Sequence, residues 1–236
     1  MFSQNHDLPS VSFEDVVSAK LGPKYRLFDH LFTQYLCSGI LPFSLHDPEP
    51  LELLRNIVTT VVQKDIPKVQ DLKTSELDEV SNVIEFSAKS AADGVNPTSI
   101  GKNLGITKYK AAQYLDLLER AFIIKQIRAY GTNVLKEPKV LLMPPYRLLY
   151  RDYEQAKGAL REEFVAEMLS YSGNSFFYLK NRKGKKCPDF LVTVGEERFV
   201  LEVGGAGKGA NQFKGLSGDF TKLIFQPEPS KSSYSR

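Results

Sequence analysis

The residues best suited to chemistry in this chain are carboxylates set among apolar strands. Asp189 opens the segment DFLVTV and Glu202 lies in RFVLEV, with a GEE turn between the two. In an antiparallel hairpin such positions approach one another, and their oxygens could share a divalent ion. Glu162 or Glu163, on the preceding segment GALREEFVAEMLSYSG, could add a third oxygen. Magnesium held by two or three carboxylates activates water against a phosphodiester. A plainer alternative stays open. Strand alternation puts Glu202 on the face opposite Leu201 and Val203, and that face could simply be wet.

The stretch that follows, LEVGGAGKG at residues 201–209, invites a phosphate-loop reading and fails it. Such a loop needs glycine five residues before its Gly-Lys pair and Ser or Thr after it. Glu202 and Gly209 occupy those positions. The chain alone is not expected to hydrolyse ATP.

Two basic groups could meet nucleic acid. Lys180, Arg182, Lys183, Lys185 and Lys186 crowd one hairpin tip, where a phosphate backbone could be reached. Equally, they could be a solvated turn that discourages edge pairing. Lys108, Lys110 and Gln113 fall in the first two turns of a helix placed as a recognition helix would be, with Lys102 just before it. Asp116 and Glu119 on the same helix would repel phosphate, so packing against protein is the competing use.

These residues are carried by 236 positions of ordinary soluble composition, 42% hydrophobic and 25% charged, with a net charge of +3. So mild a basicity permits nucleic-acid binding without arguing for it. Cys37 and Cys187 are far apart and form no CxxC, so neither zinc nor a disulfide is expected and a reducing cytoplasm is the default. No charged-then-apolar leader opens the chain, and no apolar run nears the roughly 18 residues of a membrane span.

The elements are mostly legible. FEDVVSAKLG and YRLFDHLFTQYLCSG have helical spacing and end at glycine, but the first fifty residues show no core of their own. From Pro50 to Ala92 two helices are expected, separated at Pro67, with Thr74 capping the second. A short helix over Pro97 to Leu104 ends at Gly105. Thr107 caps a longer one whose buried stripe reads Ala111, Leu115, Leu118 and Phe122. AFIIKQIRAY and KVLLMPP complete a hairpin, so this part reads as a winged helix-turn-helix. Beyond Arg151 follow a helix, strands SFFYLK, DFLVTV and RFVLEV, a short helix ANQFKGLSG and a strand KLIFQ, which together form a small α/β core. The tail PEPSKSSYSR is expected to be disordered.

In order and spacing, GALREEFVAEML, FFYLKNRKGKKCPDFLV and FVLEVGG resemble the C-terminal region of prokaryotic AAA+ ATPases, in which a winged helix precedes a PD-(D/E)xK, restriction-endonuclease-like domain of unknown function. FTQYLCSGILP resembles the end of the ATPase lid, LRNIVTTVVQKDIPKV the connecting helix, and EPKVLLMPPYRLLYRD the hairpin before the nuclease-like fold. Pro144 and Pro145 stand where an acidic residue is common.

The resemblance implies an α+β chain with a lid-like segment over 1–49, a helical and winged-helix region over 50–150, a restriction-endonuclease-like α/β domain over 151–229 and a tail over 230–236. It implies catalytic roles for Glu162, Asp189 and Glu202, with magnesium on Asp189 and Glu202. The lysine due two residues after Glu202 is replaced by Gly204, and Lys208 is the candidate substitute. The functional expectation is the DNA-binding effector end of an AAA+ ATPase with a weakened nuclease-like site. The alternative is an inactive scaffold that grips a partner protein or the ATPase module, which is expected outside this sequence.

Overall fold

Alternation along one short strand explains how the two halves of the chain are joined. The strand is β2 (Lys139–Leu142), and all four of its residues are buried. Val140 and Leu142 face one hydrophobic core while Leu141 faces another. Successive side chains of a strand point to opposite faces, so β2 is a wall common to both cores. Its antiparallel partner β1 (Ile124–Ile127) does the same, with Ile124 in the first core and Ile127 in the second.

The computed structural model describes residues 28–38, 41, 50–131, 137–179, 187–204, 213 and 219–225. The architecture is mixed α+β. Helix α1 (Phe28–Ser38) is followed by α2 (Leu51–Thr60), a π-helical turn (Val61–Asp65) and α3 (Ile66–Val69). Then come α4 (Thr74–Lys89), a 3-10 turn (Ala92–Gly94), α5 (Pro97–Leu104) and α6 (Lys108–Arg120). After the β1–β2 hairpin lie a 3-10 turn (Tyr146–Leu149), α7 (Tyr153–Tyr171), and strands β3 (Ser175–Tyr178), β4 (Phe190–Val194), β5 (Glu197–Val203) and β6 (Thr221–Phe225). Strands β3 to β6 form one sheet in chain order, antiparallel except for the parallel β5–β6 pair. Just past β1, Ala129 bridges Tyr178 in parallel, so the hairpin runs onto the β3 edge of this sheet.

The helix-turn-helix is built as its spacing predicts. Asn96 and Ser99 cap α5 reciprocally, with Ser99 N–H donating to Asn96 Oδ1 at 2.9 Å and Asn96 N–H donating to Ser99 Oγ at 3.0 Å. Gly105 ends α5 in the left-handed region at φ 70°. Thr107 Oγ1 accepts from Lys110 N–H at 3.1 Å and starts α6. The turn is tight enough that a Cβ on Gly101 would stand 2.9 Å from the Ile106 carbonyl oxygen.

Three expectations are corrected. Pro67 does not separate two helices. The π turn resets the hydrogen-bond register, with Ile66 N–H donating to Val61 O, so Pro67 lands in the first turn of α3, where its missing N–H is tolerated. Thr74 is not the cap of α4. Lys73 holds that position, and its N–H donates to Glu76 Oε2 at 2.9 Å. Phe122 is not part of the buried stripe of α6. It adopts φ 58° and is 74% exposed, while Ile123 turns inward. Ile123 N–H donates to Leu118 O and Phe122 N–H to Glu119 O, a Schellman closure that swings position 122 outward.

Helix α1 lies on α7. Leu36 packs with Ala156 and Leu160, the Phe32 ring meets Phe164 edge-on at 5.0 Å, and Tyr35 Oη donates to Glu167 at 2.9 Å. No described helix is long and apolar enough to cross a membrane. The expected helix ANQFKGLSG, apart from buried Phe213, and the expected tail lie outside the described residues.

Candidate functional site: an acidic cluster with a buried lysine

Adjacent glutamates at the middle of α7 take different partners. Glu163 turns into the junction between the halves and meets Arg147, which is fully buried. Arg147 donates to Glu163 Oε1 from Nε at 2.8 Å and from Nη2 at 2.5 Å. Its Nη1 donates to the carbonyls of Ala88 at 2.5 Å and Ser90 at 3.0 Å, at the C-terminal end of α4. Leu142 N–H adds a longer bond to Glu163 at 3.3 Å. Glu163 is therefore a structural tie and is not one of the three groups that converge on the acidic cluster.

Glu162 points the other way, toward the end of the sheet. Its carboxylate, that of Asp189 before β4 and that of Asp93 in the 3-10 turn present oxygens within 4.8 Å of one another. Asp189 is held in place by the sheet, since its Oδ2 accepts from Val203 N–H at 2.7 Å across the β4–β5 pair. Hard oxygen donors of this kind suit magnesium, manganese or calcium. The cluster can thus hold a metal ion.

A lysine reaches into the same place. Lys139 Nζ pairs with Asp93 Oδ1 at 2.5 Å and with Glu162 Oε1, and it lies 5.9 Å from the centre of the Phe190 ring. The Lys139 side chain is 6% exposed and that of Asp93 85%, so the cluster is closed on the lysine side and open to solvent at Asp93. Burial disfavours an ammonium here, but the charges of Glu162 and Asp93 outweigh it and hold Lys139 above the ordinary lysine range. Burial drives Glu162 upward, against the pull of Lys139, and the charge of Asp189 adds to the rise. The nearby Cys187 thiol is also pushed up, by burial and then by Asp189, Glu202 and Asp93, which keeps it protonated.

Of the residues singled out from sequence, Glu162 and Asp189 are brought together. Glu202 is 1% exposed, next to the Val203 N–H that Asp189 holds, so its face of β5 is not wet. Its oxygens are not among the three groups that converge within 4.8 Å. Lys208, Arg182, Lys183, Lys185 and Lys186 lie outside the described residues, as does Lys180. On α6, Lys108 pairs with Glu137 at 2.6 Å. Lys110 pairs with Glu79 at 2.8 Å and Glu76 at 3.2 Å on α4, beside a Tyr114 hydroxyl that donates to Glu79 at 2.6 Å. Gln113 is half-buried and Lys102 exposed.

Sequence reasoning missed Asp93 and the place of Lys139. Asp93 follows a helix in AADG and carries no spacing signal. Lys139 did carry one, because a charged residue opens a strand whose other positions are apolar.

Residues 29–143 match a family described only as a domain of unknown function (DUF8612). The matched span contains Asp93 and Lys139, whereas Glu162 and Asp189 lie beyond it. The chain is similar to an uncharacterized protein of Methanocaldococcus jannaschii, at 27% identity over 89% of this chain and 49% of that protein. It is also similar to an uncharacterized protein of Haemophilus influenzae, at 30% identity over 53% of this chain and 34% of that protein. The chain therefore spans about half or less of the length of these relatives. No solved structure matches.

Proposed function

We propose that this chain is the nucleic-acid-directed effector region of an AAA+-type ATPase, and that its acidic cluster is a magnesium site of the PD-(D/E)xK, restriction-endonuclease-like kind. One observation carries the reading. Glu162 and Asp189, assigned to one site by the family resemblance, come from different elements and present oxygens to the same 4.8 Å space. Buried Glu202 lies on the next strand, one residue before the Val203 N–H that holds Asp189. Glu162, Asp189 and Asp93 would hold the ion. When bound, it would polarise a phosphodiester and supply an activated water. The chain's own part is to fix the carboxylates. Val203 N–H orients Asp189, and the Arg147–Glu163 tie sets the rotation of α7 and with it the direction of Glu162.

A second reading, a scaffold without catalysis, is favoured by the ion pairs on α6. Lys108 and Lys110 are engaged by protein carboxylates, which lowers the charge that helix could offer to phosphates.

Plasmid nicking in magnesium or manganese separates the two. The nuclease reading expects cleavage that Asp189→Asn abolishes while the circular dichroism spectrum is unchanged. No cleavage after long incubation at high protein rejects it. Absence of DNA binding at physiological salt leaves the scaffold.

A further inference from the structure

Three carboxylates within 4.8 Å of one another repel, and a proton on one of them or a cation among them relieves that repulsion. In this protein that cation is already supplied. The ammonium of Lys139 donates to Asp93 and Glu162 from a side chain that is almost wholly buried. We infer that Lys139 occupies the cation position of the Asp93–Glu162–Asp189 cluster, and that a divalent ion must compete with its ammonium for the same carboxylates. The inference deepens the reading of this cluster as a metal site and rests on it.

Lys139 cannot withdraw by moving its backbone. It is paired with Ile127 across the β1–β2 hairpin, and the next residues, Val140 and Leu142, are locked into the first core. Only the four-carbon stem can rotate, so the ammonium leaves the carboxylates by side-chain motion alone. Lys139 takes up one lone pair on Asp93 and one on Glu162, and a second positive charge placed beside its ammonium would be repelled. The competition therefore weakens metal binding. Gly204 stands where the resemblance expects the site's lysine, so the cationic side chain seen at this cluster comes from the hairpin instead of from β5.

Manganese binding, followed through the electron paramagnetic resonance signal of the free ion, tests this on the full chain. Lys139→Met is expected to bind manganese about tenfold more tightly than wild type or better, and Lys139→Arg no more tightly. Equal affinity in wild type and a folded Lys139→Met overturns the inference and leaves the metal-site reading intact. Binding by Lys139→Met but not by wild type supports the inference and rejects the metal reading for the native protein. No binding by either overturns both.

If Lys139→Met does not fold, the wild type labelled with ε-13C lysine answers instead. Saturation with magnesium must shift the Lys139 ε resonance, assigned through Lys139→Arg. Saturation without that shift overturns the inference.

Discussion

Arg147 and Glu163 form a buried ion pair at the point where helix α4, strand β2 and helix α7 meet. The guanidinium holds the Glu163 carboxylate with two donors and the last carbonyls of α4 with another nitrogen. One side chain thus joins the helix-turn-helix half to the sheet half. It also sets the direction of neighbouring Glu162.

Arg147→Ala is expected to destabilise the protein by about 3–5 kcal/mol, because it leaves a buried carboxylate and two helix-end carbonyls without their donor. Urea denaturation at pH 8 measures this. A double replacement by apolar residues, Arg147→Met with Glu163→Leu, should recover much of the loss. A double variant as unstable as Arg147→Ala would refute the account.

Stability should fall as pH rises through neutrality. Burial pushes Glu163 from 4.5 up to about 7 despite the attraction of Arg147. Its Oε2 has no hydrogen-bond donor among the described residues, which leaves a place for the proton. The folded pKa is raised, so this contribution is fully present below pH 4.5 and is lost as pH passes about 7. The difference in unfolding free energy between wild type and Glu163→Gln should change by about 3 kcal/mol across that window. A pH-independent difference would count against it.

Phe122→Gly should stabilise the chain by about 1 kcal/mol. The residue is 74% exposed and sits at φ 58°, where a Cβ is strained and glycine is not. A shift of the thermal midpoint upward is expected, and a fall would mean that the exposed ring makes contacts worth more than the strain.

Lys110→Met should lower stability without changing how DNA affinity depends on salt. Its ammonium lies between Glu76 and Glu79, and it releases no counterion from a phosphate if it stays there. A log–log salt slope reduced by about one unit in Lys110→Met would place the lysine on DNA instead.

Local signals were legible wherever short-range geometry decides. The Thr107 cap, the Gly105 turn and the four strands of the sheet all follow from the spacing of apolar and turn-forming residues along the chain. Errors arose where hydrogen-bond register overrides periodicity. The π turn before Pro67 and the Schellman closure at Phe122 each shift one helix end, and neither leaves a compositional mark.

The candidate site divides along the same line. Carboxylates at strand ends and on one helix turn are visible as types and spacings, so Asp189, Glu202 and one of Glu162 or Glu163 could be named from them, and the resemblance pointed to Glu162. Which of the neighbours Glu162 and Glu163 serves the cluster depends on the rotation of α7, and Arg147 sets that from another element. Asp93 and Lys139 join the cluster from 69 and 23 positions before Glu162, as the 3-10 turn and β2 pack against α7 and β4. Periodicity reports only which face of its own element a residue occupies. Contacts between elements far apart in the chain arise from core packing, and that packing placed a lysine among the acids.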